Sequence, residues 1–487
     1  MIVTRDEMHQ IEINSNLTSI QLIQRAADKL AKHINQHLNP SDKVLLLAGK
    51  GNNGADCIAM LPKLNANIVG IIFVDGKPTS LQAIELYNQL DTNYFQPISQ
   101  LETCLHECDI IIDGIYGIGY HGSLKDVLKP IFKQIQSVHK PIFSIDINSA
   151  AECDSCQHDP YALQSTITFA IDCYKPFHML YKNHSLFQQL ELVSLDIPHH
   201  IPIKSLDMNT TVFFKHLEKR KVNSHKTSYG KILLIGGSYG MAGALSLNIT
   251  GAKSLGFPYI EVGVNDSIYP IVASKHTNAV FHPFSKDTIN PQLLPSIKNA
   301  NVIGFGSGTT NMHEKEDVLD ILIQESQCPL VFDAEAIRLL KYNTWKLRFA
   351  KSKIIITPHI GEFADLFHLE IKEVKNNPLA YTLKYAKELN IYIVLKDAHT
   401  IIATPSGYFY INQTGNQALA QAGSGDLLTG MITALLAYQT DIPIALCMAV
   451  WLHGYIADRL IQNHSSFHLN LEDYPSMVDQ YFYENGY

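Results

Sequence analysis

Short, unbroken runs of β-branched and aliphatic residues, each closed by a glycine- or aspartate-rich turn, restrict this chain to one broad fold class. In the first half the runs are Lys43–Ala48, Ile68–Val74, Ile110–Ile112 and Ile142–Ile145, preceded by a helix pattern from about Ser19 to His37. Runs without polar alternation belong to strands covered on both faces, as in parallel sheets. After Pro198–Pro202 the pattern restarts. Lys231–Ile235, Ile260–Val264, Val302–Phe305, Pro329–Phe332, Lys353–Ile356 and Ile391–Leu395 read as strands and Ala242–Leu255 as a helix. A chain of 487 residues exceeds the ~250–300 at which one core stops growing. The expected fold class is α/β, with two three-layer domains spanning 1–205 and 212–487 and a boundary near 205–215.

Charge and composition exclude several partners. A net charge of −8 offers no basic footprint for nucleic acid or anionic lipid. The basic cluster Lys215 to Lys226 reads as a solvated linker. Met1–Glu7 lacks the apolar stretch of a signal peptide, and the helical stretch 427–456 is interrupted by Asp441 and Pro443. A cytoplasmic location with no membrane partner is the expectation. Cys153 and Cys156 have the CxxC spacing of a zinc or redox pair, but no second pair follows, so reduced thiols are expected.

The sharpest motif is Ala422-Gly423-Ser424-Gly425-Asp426 before an apolar helix. Small residues let the backbone expose its N–H groups, and a helix start adds a positive dipole end, so phosphate is a natural guest. Asp426 is placed to take a proton from a hydroxyl that attacks phosphorus. Read alone, the same residue is equally a helix cap. Four further stations stand at strand ends: Gly304–Gly308, Phe332–Ala336 with Asp333 and Glu335, Thr357–Glu362 with His359, and Val394–Thr400 with Lys396.

The order GGSxGMAGA, GxGxG, DAxA, TPHxGE, LKxxxT and GN…AxxGSGD, from about 225 to 470, resembles the ADP/ATP-dependent NAD(P)H-hydrate dehydratases, a ribokinase-like family. The resemblance implies Asp426 as base and Gly423, Ser424 and Gly425 as an anion hole. It implies nucleotide contacts at Lys396, Asp397, Ala398, His399, Thr400 and Gly425, and substrate contacts at Ala244, Gly308, His359 and Asp426. ADP or ATP, with Mg2+, would drive removal of water from hydrated NADH or NADPH. Asp397 stands where the family has glycine.

In the first half, Gly49-Lys50-Gly51-Asn52-Asn53-Gly54-Ala55-Asp56 follows the first strand, and its amides could cradle a diphosphate. Asp113–Gly119 and Ser144–Ser149 end two more strands, although Asp113 and Asp146 could also be helix caps. Turns that merely close a Rossmann-like sheet are the plainer alternative. This half resembles the NAD(P)H-hydrate epimerase domain, whose hallmark is GNNGGDG, and fusion of the two domains is the bacterial arrangement. The resemblance implies substrate contacts at Asn52, Asn53, Gly54, Ala55, Asp56, at Gly117, Ile118, Gly119, Tyr120, His121, Gly122 and Ser123, and at Asp146. Potassium (K+) would sit at Asn53, Asp113 and Ser149. Ala55 and Cys57 replace glycines of the hallmark, and Asn148-Ser149-Ala150 replaces Pro-Ser-Gly. A positive φ at residue 55 would cost alanine about 1 kcal/mol. The combined reading is a bifunctional repair activity in a homo-oligomer. The rival is a ribokinase-type vitamin kinase carrying a non-catalytic N-terminal binding module.

Overall fold

The computed structural model describes residues 1–462 and 464–487. The chain divides into two compact units, Met1–Ser205 and Leu206–Tyr487.

The first unit is a Rossmann-like α/β domain built on a six-stranded sheet. Its strands are β1 (Lys43–Ala48), β2 (Asn67–Phe73), β3 (Ile110–Gly114), β4 (Ile142–Ile145), β5 (Ser165–Ile171) and β6 (Phe187–Val193). They lie in the order β2-β1-β3-β4-β5-β6, and every pairing is parallel. Alternate residues of β1 enter different cores: Val44, Leu46 and Ala48 pack on one face, Leu45 and Leu47 on the other. Burial on both faces explains the unbroken apolar runs. The order reverses between β1 and β3, the kind of switch point at which open α/β sheets bind ligands beyond their C-terminal strand ends. The loop 49–51, which leads into the helix Asn52–Met60, and the loop 115–123 both leave the sheet there.

The second unit is an α/β domain built on a nine-stranded sheet. Its nine strands are β7 (Ile232–Gly236), β8 (Ile260–Asn265), β9 (Val280–Phe284), β10 (Val302–Phe305), β11 (Leu330–Phe332), β12 (Ile354–Ile356), β13 (Tyr392–Leu395), β14 (Ile401–Ala403) and β15 (Phe409–Ile411). Their order is β15-β14-β13-β12-β11-β10-β7-β8-β9, parallel except for the antiparallel pairings at β14 and β15. Strands β7, β10, β11, β12 and β13 stand side by side, so the motifs that follow them share one edge. The helices Ala242–Ser254 and Ser424–Tyr438 pack closely: a Cβ at Gly430 would lie 1.9 Å from the Asn248 carbonyl oxygen, and one at Gly251 would lie 2.1 Å from that of Leu427.

The second compact unit begins at Leu206, inside the expected boundary of 205–215: Leu206 N–H bonds the Phe409 carbonyl at 2.7 Å, and Met208 is buried. The basic cluster is not all linker, because Thr210–His216 is a helix capped by Asn209 and anchored by fully buried Phe213. Cys153 and Cys156 are both buried. No helix among the described residues is long and apolar enough to cross a membrane.

Candidate functional site

In the second unit the chain turns through Gly423 at φ +93° and enters the helix Ser424–Tyr438 with Asp426 in its first turn. Burial first, then the Asp333 carboxylate, disfavours the charge on Asp426 and moves its pKa up to about 6. Asp333, at the end of β11, is fully buried and its oxygens are taken: Oδ1 accepts from Lys396 Nζ at 2.7 Å and Thr357 Oγ1 at 2.8 Å, Oδ2 from Thr429 Oγ1 at 2.9 Å. Burial works against its charge, but the Lys396 ammonium and these donors hold its pKa below the usual carboxylate range. Lys396 also suffers burial, and Asp333 more than offsets it, leaving its pKa raised. The result is a fixed cation whose Nζ lies 3.2 Å from where a Gly425 Cβ would stand. A side chain at 425 would crowd the ammonium, so glycine keeps this end of the helix open.

His359 caps the helix Ile360–Leu366. Its Nδ1 accepts from Gly361 N at 3.0 Å and Glu362 N at 3.2 Å, which leaves the proton on Nε2. Its main chain pairs with Lys396, and Lys396 N donates to Pro358 O at 2.8 Å. Gly308, at φ +68°, has no room for a Cβ, which would lie 2.7 Å from the Cβ of Ala244; the two expected substrate contacts are thus in mutual contact. Asp397 and Ala398 are exposed, and Thr400 Oγ1 bonds Asp397 O at 3.4 Å.

In the first unit a cavity of about 920 Å³ opens at the switch point. Asn52, Asn53, Asp56, Gly117, Ile118, Gly119, Tyr120, His121, Ser123 and Asp146 line it, whereas Gly54, Ala55 and Gly122 do not. Asp146 holds a left-handed backbone at φ +63°, and its Oδ1 accepts from Lys175 Nζ at 2.5 Å. Lys175 Nζ also donates to Ile171 O at 2.6 Å and is almost completely buried. Asp56 lies deep in the same cavity. Burial, then Asp146 and Glu12, pushes its pKa well above the usual range. Glu12 is raised by burial and by Asp146. Asp56 and Glu12, both raised, thus share the cavity wall with Asp146 and Lys175. Lys50 and Lys125, which flank Asp75 at 3.5 and 2.9 Å, place positive charge on the cavity wall.

Asp113 and Asp146 cap no helix. Asp113 is fully buried beside the cavity and accepts from Ser149 Oγ at 2.5 Å and from Ser149 N, Ser144 Oγ and Ile115 N at 3.0, 3.0 and 3.2 Å. Asn53 Nδ2 donates to Tyr116 O at 3.0 Å, and Ser149 Oγ accepts from Tyr116 N at 2.9 Å. Asn53, Asp113 and Ser149 therefore meet around Tyr116. No salt bridge to Asp113 is present among the described residues, and burial raises its pKa.

The strain expected at Ala55 lies elsewhere. Ala55 is an ordinary buried helical residue of Asn52–Met60. Gly54 admits no side chain, since its Cβ would stand 1.9 Å from Gly49 O. Ala150, in the Pro-Ser-Gly position, carries φ +72°, so the cost of about 1 kcal/mol falls there. Asn148 is fully buried and donates to Leu163 O, Ser165 Oγ and Leu186 O at 2.9, 3.0 and 2.7 Å, a knot that proline could not make.

The NAD(P)H-hydrate dehydratase family model matches residues 232–476, half of the chain. The chain belongs to the NAD(P)H-hydrate dehydratase family. The model of the YjeF-related protein N-terminus matches residues 19–177 of this dehydratase-family chain. A bifunctional NAD(P)H-hydrate repair enzyme from Moorella thermoacetica is 27% identical over 94% of this chain and 92% of its own length. An ADP-dependent (S)-NAD(P)H-hydrate dehydratase from Bacillus subtilis is 33% identical over 51% of this chain and 88% of its own. A ribokinase-like superfamily protein of known structure from Enterococcus faecalis, 24% identical, superposes with a TM-score of 0.52, covering 58% of this chain and 95% of that one, and shares the fold.

Sequence reasoning missed Lys175 and Glu12. Lys175 follows β5, whose Ser-Thr-Ile-Thr start hides the strand. Glu12 sits on an N-terminal helix far from any motif.

Proposed function

We propose that this dehydratase-family chain repairs hydrated NADH and NADPH. The first unit interconverts the R and S hydrates, and the second returns the S hydrate to NADH or NADPH with ADP or ATP as phosphoryl donor. The carrying observation is Asp426, a carboxylate with its pKa moved to about 6 at a helix start, beside a lysine that Asp333 keeps charged. A base that ionises near 6 is free at neutral pH and still basic enough to accept a hydroxyl proton in the transition state.

In this reading Asp426 takes the proton of the substrate hydroxyl as its oxygen bonds to the terminal phosphorus. The bridging P–O bond breaks, and AMP leaves from ADP, or ADP from ATP. The amides of 423–425 face the growing phosphoryl charge, and Lys396 adds a fixed positive one. The C–O bond then breaks, phosphate leaves with the electron pair, and a proton lost from the neighbouring ring carbon completes the double bond. Mg2+ would travel on the nucleotide's phosphates, since the Lys396 ammonium already neutralises Asp333; bound there, it would neutralise phosphate charge. Ala244, Gly308 and His359 border the substrate.

In the first unit the helix start at Asn52 and Asn53 and the loop 117–123 would hold the diphosphate, the Ala55 amide being bonded to Gly51 O at 3.1 Å. Asp56, Asp146 and Lys175 supply proton transfer to the hydrate. A buried carboxylate with no cationic partner, beside a carboxamide and a hydroxyl, is a donor set that suits K+, so Asn53, Asp113 and Ser149 would hold it and steady the loop at Tyr116.

The test is recovery of nicotinamide absorbance from NADH hydrate with ADP or ATP, separately for the pure S hydrate and for the R hydrate. Recovery from both epimers is expected. No recovery with either nucleotide, together with phosphorylation of a vitamin hydroxymethyl group, would establish the kinase instead.

A further inference from the structure

Asp172, Cys173 and His199 bring a carboxylate, a thiol and an imidazole to one point just past the end of β5, outside the residues assigned above. Consecutive strand residues point to opposite faces, so Asp172 and Cys173 would normally diverge. Here Asp172 takes a left-handed backbone at φ +62°, and the following Cys173 N–H turns back onto Ile171 O at 2.7 Å. The two side chains therefore converge. Leu195 N donates to Asp172 Oδ1 at 3.1 Å, which aims Oδ2 at the other two groups. His199 arrives on the segment after β6.

Asp172 Oδ2 lies 2.7 Å from His199 Nε2 and 3.6 Å from Cys173 Sγ, and the sulfur lies 3.8 Å from the same ring nitrogen. Zinc bonds of ~2.3 Å to sulfur and ~2.0–2.2 Å to nitrogen and oxygen put the corners of a tetrahedron about 3.6 Å apart for S–N and S–O, and about 3.4 Å for N–O. Two of the three edges already match. The third is a hydrogen bond that would widen by roughly 0.7 Å once a metal replaced its proton. Asp172 and Cys173 are buried, whereas the His199 side chain is 23% exposed, which gives an ion a way in and leaves a fourth position for water.

We propose that Asp172, Cys173 and His199 form a binding site for a borderline divalent transition metal of the zinc class. Thiolate and imidazole select such an ion over Mg2+ or K+, which prefer all-oxygen shells. The site would clamp the β5 end to the segment after β6. Its neighbours Ile171 and Leu195 line the cavity of the first unit, so a bound ion would stiffen that wall.

The experiment titrates Co2+ into the untagged full-length chain, stripped with a chelator and kept reduced. One equivalent should produce thiolate-to-cobalt charge-transfer absorption, and Zn2+ should abolish it. Cys173→Ser should lose the band. His199→Gln, altering a partly exposed side chain, should fold normally and lose saturation at one equivalent. Zn2+ should raise the melting temperature of the wild type and leave that of His199→Gln unchanged. No band in the wild type, an undiminished band in Cys173→Ser, or equal Zn2+ stabilisation of wild type and His199→Gln would each overturn the site, the hydrogen-bonded pair then being all that is there.

Discussion

A carboxylate that ionises near pH 6 works as a base at neutral pH and fails in mild acid. The dehydratase rate should therefore fall about tenfold for each pH unit below about 6, the value to which burial and Asp333 move Asp426. Asp426→Asn should cut that rate by ~10²–10⁴ while nucleotide binding persists, and a variant within about tenfold of wild type would remove Asp426 from the base role. The same shift has a stability sign. The folded chain holds this proton more tightly than the unfolded one, so the group's contribution is present below its ordinary carboxylate pKa and lost as pH rises through about 6. Asp426→Asn should accordingly melt higher than wild type at neutral pH, and the gain should vanish in acid. Asp113 is the opposite kind of residue. Four donors converge on it, so Asp113→Ala should lose ~1–3 kcal/mol for each donor left buried without an acceptor, measured by denaturant unfolding. Asp113→Asn keeps the shape and isolates the charge: folding should largely survive, and the K+ dependence of epimerisation should disappear. At this scale Asp426 was legible because its local motif is unusual. Lys175 was not, because its meaning comes from Asp146, which is close only through the sheet.

Helix placement decides where those side chains stand. Gly430 faces the backbone of Asn248, and an added methyl group meets a carbonyl oxygen that cannot retreat as a flexible side chain would. Gly430→Ala should cost ~1–3 kcal/mol or more and reduce kcat, because the helix that must shift carries Asp426. Gly243, on the partner helix, has nothing within 4 Å of its Cβ direction. Gly243→Ala should be neutral or stabilise by ~0.5–1 kcal/mol. If both variants melt alike, close helix contact is not what positions the site. Strands covered on both faces were readable to within a residue or two, as with β1, β4 and β10. Five strands escaped notice: β5, buried but opening on Ser-Thr-Ile-Thr, and four at or near the sheet edges. Edge strand β6 reads Phe-Gln-Gln-Leu-Glu-Leu-Val with polar residues half exposed. Edge strand β9 contains Pro283, tolerated where no neighbour needs its missing N–H. Strands β14 and β15 are three residues each, and antiparallel pairing to β13 and to each other makes them strands.

For the molecule as a whole, the two units should fold and act separately. Fragments 1–205 and 206–487 should both be soluble, with nucleotide-dependent dehydration confined to the second. A fragment starting at residue 212 should be less stable than one starting at 206 by ~2–4 kcal/mol, having lost buried Met208 and the Asn209 cap. Equal melting temperatures would move the boundary back to 212, and rescue of an inactive second fragment by the first would mean a shared site. The amino-acid sequence by itself determined the two α/β sheets and the order of the strand-end motifs, because burial on both faces writes itself as unbroken apolar runs and tight turns as glycine. Only the tertiary structure decided that Ala55 is relaxed and Ala150 strained, since φ is set by the path of the whole loop. It also brought Asp56, Asp146, Lys175 and Glu12 into one cavity and Asp172, Cys173 and His199 to one point. Distances between residues remote in the chain arise from sheet order and chain reversal, and no local pattern encodes them.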